Sequence, residues 1–150
     1  MRFFRMTNRE PWTKIDDAVF LGCRLRNRDE SRSDNNLQID SVLDLTSEFN
    51  EVAALRRLPY CCIPLLDTNA PSPAQLKCGV GWIIDNAQRG NVYVHCALGH
   101  GRSATFVVAY LMTTQHQTFD EALQIVQRLR RGIQLSKAQH RVLEVWNRSL

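Results

Sequence analysis

The sequence lacks any apolar run that could cross a lipid bilayer as a helix, which takes about 20 residues. Its longest apolar stretch inside a predicted helix is TFVVAYLM, residues 105–112. The basic, partly apolar start MRFFRM is not followed by the long apolar segment of a secretory signal. Internal repeats, low-complexity segments and linkers are missing too. The 150 residues therefore predict one soluble domain, 1–150, with no transmembrane segment.

The cysteines lack the pattern of a disulfide scaffold or of a paired metal site. They number five, an odd count, and contain no C-x-x-C pair. These residues are Cys23, Cys61, Cys62, Cys78 and Cys96. We therefore expect free thiols, a reducing compartment and a cytoplasmic location.

A strong charge of one sign is also lacking. Nineteen basic residues stand against fifteen acidic ones, which gives a net charge of +4. This small excess suits an anionic substrate. No nucleic-acid motif and no aromatic residues interleaved with basic ones are present, so nucleic acid is not an expected partner. Most arginines of the two basic clusters are predicted to lie on solvated faces; the clusters are Arg24, Arg26, Arg28 and Arg32, and Arg128, Arg130 and Arg131.

Strand and helix patterns alternate through the middle of the chain, and helices cluster at its end. Strands are predicted at 18–22, 41–46, 60–65 and 91–96, and helices at 47–58, 73–89, 102–115, 119–131 and after Ser136. Residues 24–38 are predicted to form a loop with a short helix. Ser72, the Thr118/Glu121 pair and the Ser136/Gln139 pair are predicted helix caps. This order predicts an α/β fold with a mostly parallel sheet flanked by helices.

The stretch NVYVHCALGHGRSATF, residues 91–106, has the composition of an anion-binding turn. A predicted strand ends at Cys96, and a predicted helix begins at Arg102. Backbone N–H groups at such a turn can point inward together, and the helix N-terminus adds partial positive charge. Gly99 and Gly101 permit close backbone approaches, and the planar fork of Arg102 can bind two phosphate oxygens. The stretch therefore predicts a phosphate site.

A cysteine at the base of this turn is expected to ionise, because a helix N-terminus and nearby positive charge favour the thiolate. Cys96 is then a nucleophile for phosphorus, in a scheme that needs no metal or other cofactor. The reaction also needs a proton donor for the leaving oxygen. Between Tyr60 and Cys96 the carboxylates are Asp67 and Asp85. Asp67 ends a strand and begins a loop, so it is the predicted general acid, whereas Asp85 is predicted to be a solvated helix residue.

Two neighbours of the nucleophile have open assignments. The Ser103 hydroxyl can hydrogen-bond the sulfur and ease thiol departure, or it can satisfy backbone donors at the helix start. His95 can support the thiolate and fix the loop, and it can equally be a satisfied core histidine.

The segment VHCALGHGRS closely resembles the H-C-x-x-G-x-x-R-[ST] signature of cysteine-dependent protein tyrosine phosphatases. Element order and size are similar to the small atypical members of the dual-specificity branch, over residues 12–148. The resemblance implies that Cys96 is the nucleophile, Arg102 binds phosphate, Ser103 assists thiol release and His95 supports the thiolate. It further implies Asp67 as general acid, and loop amides supplied by Ala97, Leu98, Gly99, His100 and Gly101.

The resemblance also bears on the substrate and on Gln139. Phosphoinositide-directed members tend to carry lysines inside the loop, and this loop has none. Phosphotyrosine proteins, with phosphoserine and phosphothreonine proteins, are therefore the expected substrates, while phosphoinositides and RNA 5′-phosphates stay open on the same chemistry. Some members place a glutamine late in the fold to orient the hydrolytic water. Gln139 is the candidate, although its capping position also explains it.

Three other functions compete with a phosphatase. A non-catalytic module that binds phosphorylated partners is disfavoured because nucleophile, arginine and acid are all present. Sulfur or redox chemistry on Cys96 is plausible as a side reaction. Cys61 or Cys62 would then be a resolving thiol on a neighbouring strand, although both are better explained as buried apolar filler. A metal site from His95, Cys96 and His100 is the weakest alternative, because the spacing matches no zinc pattern.

Overall fold

The computed structural model describes residues 10–25 and 37–150. Its strands are β1 Trp12–Lys14, β2 Val19–Gly22, β3 Ser41–Thr46, β4 Tyr60–Leu65 and β5 Val92–His95. They form one sheet in the order β1-β2-β5-β3-β4. Strands β2, β5, β3 and β4 are mutually parallel, and β1 pairs antiparallel with β2 at the edge of the sheet. The predicted α/β fold with a mostly parallel sheet is confirmed, whereas the three-residue β1 was too short to predict.

The helices are α1 Ala53–Arg56, α2 Pro73–Ala87, α3 Arg102–Thr114, α4 Phe119–Leu129 and α5 Lys137–Ser149. Ser72, Thr118 and Ser136 are the N-caps of α2, α4 and α5, and each forms a complete capping box. The predicted caps are therefore confirmed. Within the described residues no helix is long and apolar enough to span a membrane.

The helix predicted for residues 47–58 is wrong over most of its length, because only the single turn α1 forms. Two acidic side chains of this segment lie at the edge of the sheet instead, where Glu48 contacts Arg102 and Glu51 contacts His95. These tertiary contacts outweigh the local helix propensity. The predicted loop with a short helix at 24–38 lies largely outside the described residues.

Alternate residues of the strands feed two apolar layers, as the two-residue period of a strand requires. Val19, Leu43 and Val94 belong to the larger core, which packs against α2 to α5. Val42 and Tyr93 face the other way and pack with Leu55 of α1 and neighbouring loop residues. The sheet is thus covered on both faces, and its polar groups emerge at the strand ends.

Candidate active site

The carboxyl ends of four parallel strands meet at one edge of the sheet, and β5 delivers Cys96 to that edge. Cys96 is buried, with 3% of its surface exposed, and lies next to a cavity of about 380 Å³. Residues 96–101, called the phosphate loop below, connect β5 to α3. The cavity is lined by this loop, by Asp67 and Thr68, and by residues 132–139 at the start of α5. Open sheets of this kind bind ligands at the carboxyl ends of their strands.

Six consecutive carbonyl oxygens of the phosphate loop accept hydrogen bonds from the surrounding protein. The Cys96 carbonyl accepts from Nδ1 of His95, and the Ala97 carbonyl accepts from the N–H of Arg24. The Leu98 and Gly99 carbonyls accept from Nη2 and Nε of Arg130, respectively. The His100 carbonyl accepts from the N–H of Gln134, and the Gly101 carbonyl accepts from the N–H of Thr105. These donor–acceptor distances lie between 2.9 and 3.2 Å. The loop is therefore held from outside at every residue.

The orientation of these carbonyls fixes the orientation of the loop amides. In a planar trans peptide the C=O of one residue and the N–H of the next point in opposite directions. With the carbonyls turned toward the protein, the following N–H groups turn toward the cavity. The N–H of Gly99 shows this directly, since it donates to Cys96 Sγ at 3.3 Å. The inward amides that the sequence predicts follow from this geometry.

Gly99 is the one loop position at which a side chain is impossible on two grounds. Its φ of +73° lies in the left-handed region, which L side chains rarely adopt. A Cβ would also lie 2.5 Å from the carbonyl carbon and oxygen of Gly22, at the end of the adjacent strand β2. The glycine therefore lets the phosphate loop pack directly against the sheet.

The Cys96 thiol lies among groups that favour its ionised form. Ser103 Oγ lies 3.1 Å from Cys96 Sγ. Burial alone would raise the pKa of the Cys96 thiol, but hydrogen bonds from Ser103 and Gly99 and the charge of Arg102 bring that pKa below its ordinary value. The arrangement presents a thiolate to the cavity, with Ser103 positioned to hydrogen-bond it.

Arg102 is the first residue of α3, and its guanidinium is buried at 3% exposure. Nη1 donates to both carboxylate oxygens of Glu48, at 2.8 and 2.9 Å, and to the carbonyl of Leu65 at 2.9 Å. Nε has no hydrogen-bond partner among the described residues. A buried donor without a partner is costly. A phosphate oxygen in the adjoining cavity would satisfy it, because the guanidinium is already fixed by Glu48.

Asp67 lies across the cavity from the phosphate loop and is 82% exposed, with Oδ1 3.9 Å from Arg102 Nε. The residues after it are anchored to the start of α5. Ser136 Oγ donates to the Thr68 carbonyl at 2.7 Å, and Gln139 Nε2 donates to the Asn69 carbonyl at 3.1 Å. The segment 66–70, called the acid loop below, is therefore held beside the cavity. Asp85 is exposed on α2, outside the cavity lining.

Gln139 is almost completely buried, at 1% exposure, and both ends of its amide have partners. Oε1 accepts the Ser136 N–H at 2.9 Å, and Nε2 holds the acid loop. The structure thus gives Gln139 a capping contact and an anchoring contact. Its suggested role in orienting water stays a prediction.

His95 belongs to a buried network that the sequence analysis missed. Its Nδ1 must carry a proton, because the Cys96 carbonyl can only accept, and its Nε2 hydrogen-bonds Glu51. Asp44 lies 3.9 Å from the same Nε2. Burial would lower the pKa of His95, but Glu51 and Asp44 raise it above its ordinary value. The raised pKa favours the doubly protonated ring, whose positive charge would stabilise a thiolate at Cys96.

Among residues 10–25 and 37–150, Asp44, Glu51 and His95 are the set whose ligand atoms lie close enough for a metal ion. Their atoms are, however, engaged with protein partners. Asp44 accepts hydrogen bonds from Thr46 and Tyr60, and Glu51 is hydrogen-bonded to His95 Nε2. This pattern fits a proton-bearing network better than an ion site.

Four residues of the site were not identified from the sequence: Asp44, Glu48, Glu51 and Arg130. A signal existed for the acidic ones, because they lie in or directly after a strand whose carboxyl end faces the cavity. Arg130 was grouped with solvated arginines, but it is 5% exposed. Only the tertiary fold reveals its carbonyl partners.

The expectation for Cys61 and Cys62 was wrong in two respects. Their strand β4 does not neighbour β5, since β3 lies between them. Cys62 is exposed and Cys61 is half-buried, so neither is fully buried filler. All five cysteines lie in the described part of the chain, and none forms a disulfide bond.

A buried thiol in a loop of inward amides, followed by a buried arginine, defines a cysteine-based phosphatase. A sequence model of the family described as dual specificity phosphatase, catalytic domain, matches residues 19–149. The chain belongs to this family, and the resemblance read from the phosphate loop is confirmed.

Several proteins of known identity are similar to this chain. The phosphatidylglycerophosphate phosphatase PTPMT2 of Arabidopsis thaliana is 28% identical over 144 residues, covering 91% of this chain and 63% of the relative, so the chain spans less than two thirds of that protein. The phosphatidylglycerophosphatase and protein-tyrosine phosphatase 1 of Mus musculus is 25% identical over 155 residues, covering 95% and 79%. The crystal structure of Tk-PTP in the active form has a TM-score of 0.83 at 28% identity, covering 93% and 98%.

Proposed function

We propose that this chain, as a single catalytic domain, hydrolyses phosphate monoesters carried by phospholipids through a phosphocysteine on Cys96. The observation that carries the catalytic part is the phosphate loop, in which amides, a thiol and the unpartnered Nε of Arg102 converge on one cavity. Such convergence fits a single tetrahedral phosphate dianion.

In the first step the Cys96 thiolate attacks phosphorus, forming an S–P bond while the bond from phosphorus to the leaving oxygen breaks. The leaving oxygen takes a proton from the carboxyl group of Asp67. Arg102 and the loop amides bind the three remaining phosphoryl oxygens, where charge develops. No metal ion is needed in this step.

In the second step a water molecule attacks the phosphorus of the phosphocysteine. The Asp67 carboxylate accepts the proton from water, and the S–P bond breaks to release inorganic phosphate. The electron pair returns to sulfur as a thiolate, which the Ser103 hydroxyl stabilises from 3.1 Å. The enzyme is then back in its starting state.

The choice of a lipid substrate rests on the relatives and on the loop composition. The Arabidopsis and mouse proteins, which match 91% and 95% of this chain, both carry phosphatidylglycerophosphate in their names. The phosphate loop contains no lysine, and Arg102, directly after it, is the cation that faces its cavity. A lipid with a single phosphomonoester needs fewer cations at the site than a lipid with several phosphomonoesters on one head group. This substrate class replaces the phosphoprotein that the sequence analysis favoured.

A phosphotyrosine protein is the second candidate, because the name of the mouse relative includes protein-tyrosine phosphatase activity. Either substrate requires a reduced thiol, so a compartment with reducing conditions remains part of the proposal. The cytoplasmic location expected from the cysteines is one such compartment.

The test compares phosphate release from phosphatidylglycerophosphate in detergent micelles, from a phosphotyrosine peptide and from para-nitrophenyl phosphate, all with a chelator present. We expect Cys96→Ser to abolish release from every substrate. Asp67→Asn should reduce release from the lipid more than from the aryl ester, because an alkoxide is the poorer leaving group. A wild-type protein that releases phosphate only from the peptide would overturn the lipid assignment. A wild-type protein inactive on all three would overturn the enzyme.

A further inference from the structure

Three large apolar side chains are exposed to solvent on the loops that surround the cavity. Phe49 is 44% exposed, Leu66 is 64% exposed and Leu98 is 60% exposed. They follow β3, β4 and β5, three strands that run parallel, so their loops leave the same edge of the sheet. These three residues are called the apolar rim below.

Hydrogen bonds around one guanidinium bring the rim residues to the cavity mouth. Nη1 of Arg102 binds Glu48, the neighbour of Phe49, and the carbonyl of Leu65, the neighbour of Leu66. Leu98 itself lines the cavity. The rim is therefore arranged around the phosphate site, on three separate loops.

A cation accompanies the rim. The guanidinium carbon of Arg24 lies 4.6 Å from the centre of the Phe49 ring, and Nη2 donates to the Asn50 carbonyl at 3.2 Å. The acidic groups at the same edge are the buried Asp44 and Glu51, which contact His95, the exposed Glu48, which is paired with Arg102, and the exposed Asp67. Arg24 thus offers positive charge directly beside exposed apolar surface.

Exposed apolar groups clustered with basic ones are typical of surfaces that enter the head-group region of a bilayer. Apolar side chains there contact the acyl boundary, and arginine pairs with lipid phosphate. A groove along one element would fit a peptide better, but the rim residues lie on three loops around an opening. A flat lipid surface contacts all three at once.

We propose that Phe49, Leu66 and Leu98 seat the protein on the surface of an anionic phospholipid bilayer, with the catalytic cavity facing the head groups. This inference rests on the proposed function, since it gives a lipid phosphomonoester a direct path to Cys96. Contact with the bilayer would supply substrate from the membrane plane without extraction of the lipid into water.

The chain offers a matched control for testing the rim. Val145 and Leu150 are 48% and 60% exposed, close to the values for Phe49 and Leu66. They lie near the far end of α5, whose first turn touches the cavity. At 1.5 Å per residue, the end of this helix is about 20 Å from its start. The control pair therefore removes apolar side chains of similar fractional exposure away from the cavity.

The experiment measures co-sedimentation with vesicles of phosphatidylcholine containing phosphatidylglycerol, which hold no phosphomonoester. We expect Phe49→Ser/Leu66→Ser to weaken vesicle binding by about tenfold or more, since each buried apolar side chain adds substantially to binding. Val145→Ser/Leu150→Ser should bind like wild type. The circular-dichroism melting temperature should stay at the wild-type value in both variants. Hydrolysis of soluble para-nitrophenyl phosphate should stay at the wild-type value in the control variant and in the single variant Phe49→Ser, which leaves the acid loop unchanged and should still bind vesicles more weakly than wild type.

The rim proposal is overturned if wild type does not bind these vesicles, or if rim and control variants bind equally. A rim variant with intact vesicle binding but reduced turnover of a phosphotyrosine peptide would assign the rim to a protein substrate instead. Failure of the lipid-phosphatase proposal appears separately, as absent turnover of lipid in micelles. Vesicle binding is measured without a substrate, so each proposal can fail alone.

Discussion

Arg130 acts on the phosphate loop from the side opposite the cavity. Its Nε and Nη2 donate to two successive loop carbonyls, and its Nη1 donates to Glu10 and Thr13 at the edge of the sheet. A single planar fork therefore fixes two of the peptide groups whose amides face the phosphate. It is a positioning residue, since its hydrogen bonds to the loop go to backbone carbonyls on the side away from the cavity.

Replacing Arg130 should impair catalysis more than its distance from the substrate suggests. Arg130→Met leaves two buried carbonyls unpaired, a cost of about 1–3 kcal/mol each. We expect kcat/KM for para-nitrophenyl phosphate to fall by about 10- to 100-fold. Lysine cannot reproduce the fork, so Arg130→Lys should recover little.

The control for this variant is Arg128→Met, which removes an exposed arginine from the same helix. A loss of stability alone would lower the melting temperature and leave the pH profile of Cys96 alkylation unchanged. Loosening of the loop amides should instead move that profile to higher pH. An unchanged profile with full activity would contradict the positioning role.

Ser103 should control the pKa of the Cys96 thiol, which the folded protein lowers. In Ser103→Ala the thiolate loses a hydrogen bond worth about 1.5–3 kcal/mol, or roughly one to two pH units. The alkylation rate by iodoacetamide follows the thiolate fraction and falls as pH drops through the thiol pKa. We therefore expect the midpoint of this fall to move to higher pH in the variant. A midpoint at the wild-type pH would leave Ser103 with only its helix-start role.

At the scale of elements, the acid loop and α5 behave as one unit. The predicted capping box at Ser136 is present, and the same two side chains also hold the carbonyls of Thr68 and Asn69. The cap was readable from local spacing. Its second role was not, because contacts between residues about 70 positions apart leave no local pattern.

Gln139→Ala should therefore act through the general acid. We expect kcat to fall more for alkyl phosphates than for para-nitrophenyl phosphate, since only the poor leaving group depends strongly on a well-placed Asp67. Glu121→Ala removes the equivalent residue from the capping box of α4 and serves as the control. If Gln139 orients water instead, hydrolysis of the phosphocysteine slows for both substrates, and an initial burst of nitrophenol appears.

The loop after β3 shows why part of the site escaped sequence analysis. Residues 47–58 have the composition of a helix, and the sequence analysis predicted one there without assigning a role to its acidic residues. In the fold, Glu48 and Glu51 satisfy a buried arginine and a buried histidine. By contrast, the phosphate loop was predictable because its nucleophile, glycines and arginine are close in sequence. Residues that serve the site from other elements needed the strand order.

At the scale of the whole molecule, packing between α2 and α3 depends on a glycine. A Cβ on Gly79 would lie 2.3 Å from the ring of Phe106, whereas a Cβ on Gly81 would meet nothing within 4 Å. We expect Gly79→Ala to lower the free energy of unfolding by about 1–3 kcal/mol through overpacking. Gly81→Ala should raise it by about 0.5–1 kcal/mol through helix propensity. Urea denaturation measures both, and equal effects would contradict this account of the interface.

The sequence predicted that the sheet is mostly parallel, but it did not predict the order of the strands. Apolar strands alternating with helices indicated a mostly parallel sheet, but not that β3 separates β4 from β5. That arrangement is set by how the helices cross over the sheet, which no single segment encodes. Because β3 lies between β4 and β5, the expectation that Cys61 and Cys62 lie on a strand next to that of Cys96 was wrong.

The contact between Arg130 and the carbonyl of Glu10 joins residues 120 positions apart. A ribosome releases the chain from its N-terminus, so Cys96 emerges before Arg130 and Gln134, which bind the carbonyls of Leu98, Gly99 and His100. Until Arg130 and Gln134 have followed, the loop carbonyls lack their partners, and we expect the cysteine to behave as an ordinary thiol. The reactivity of the nucleophile thus depends on a segment that follows it by more than 30 residues, and a chain that stops before Arg130 should hold Cys96 with the reactivity of an ordinary thiol.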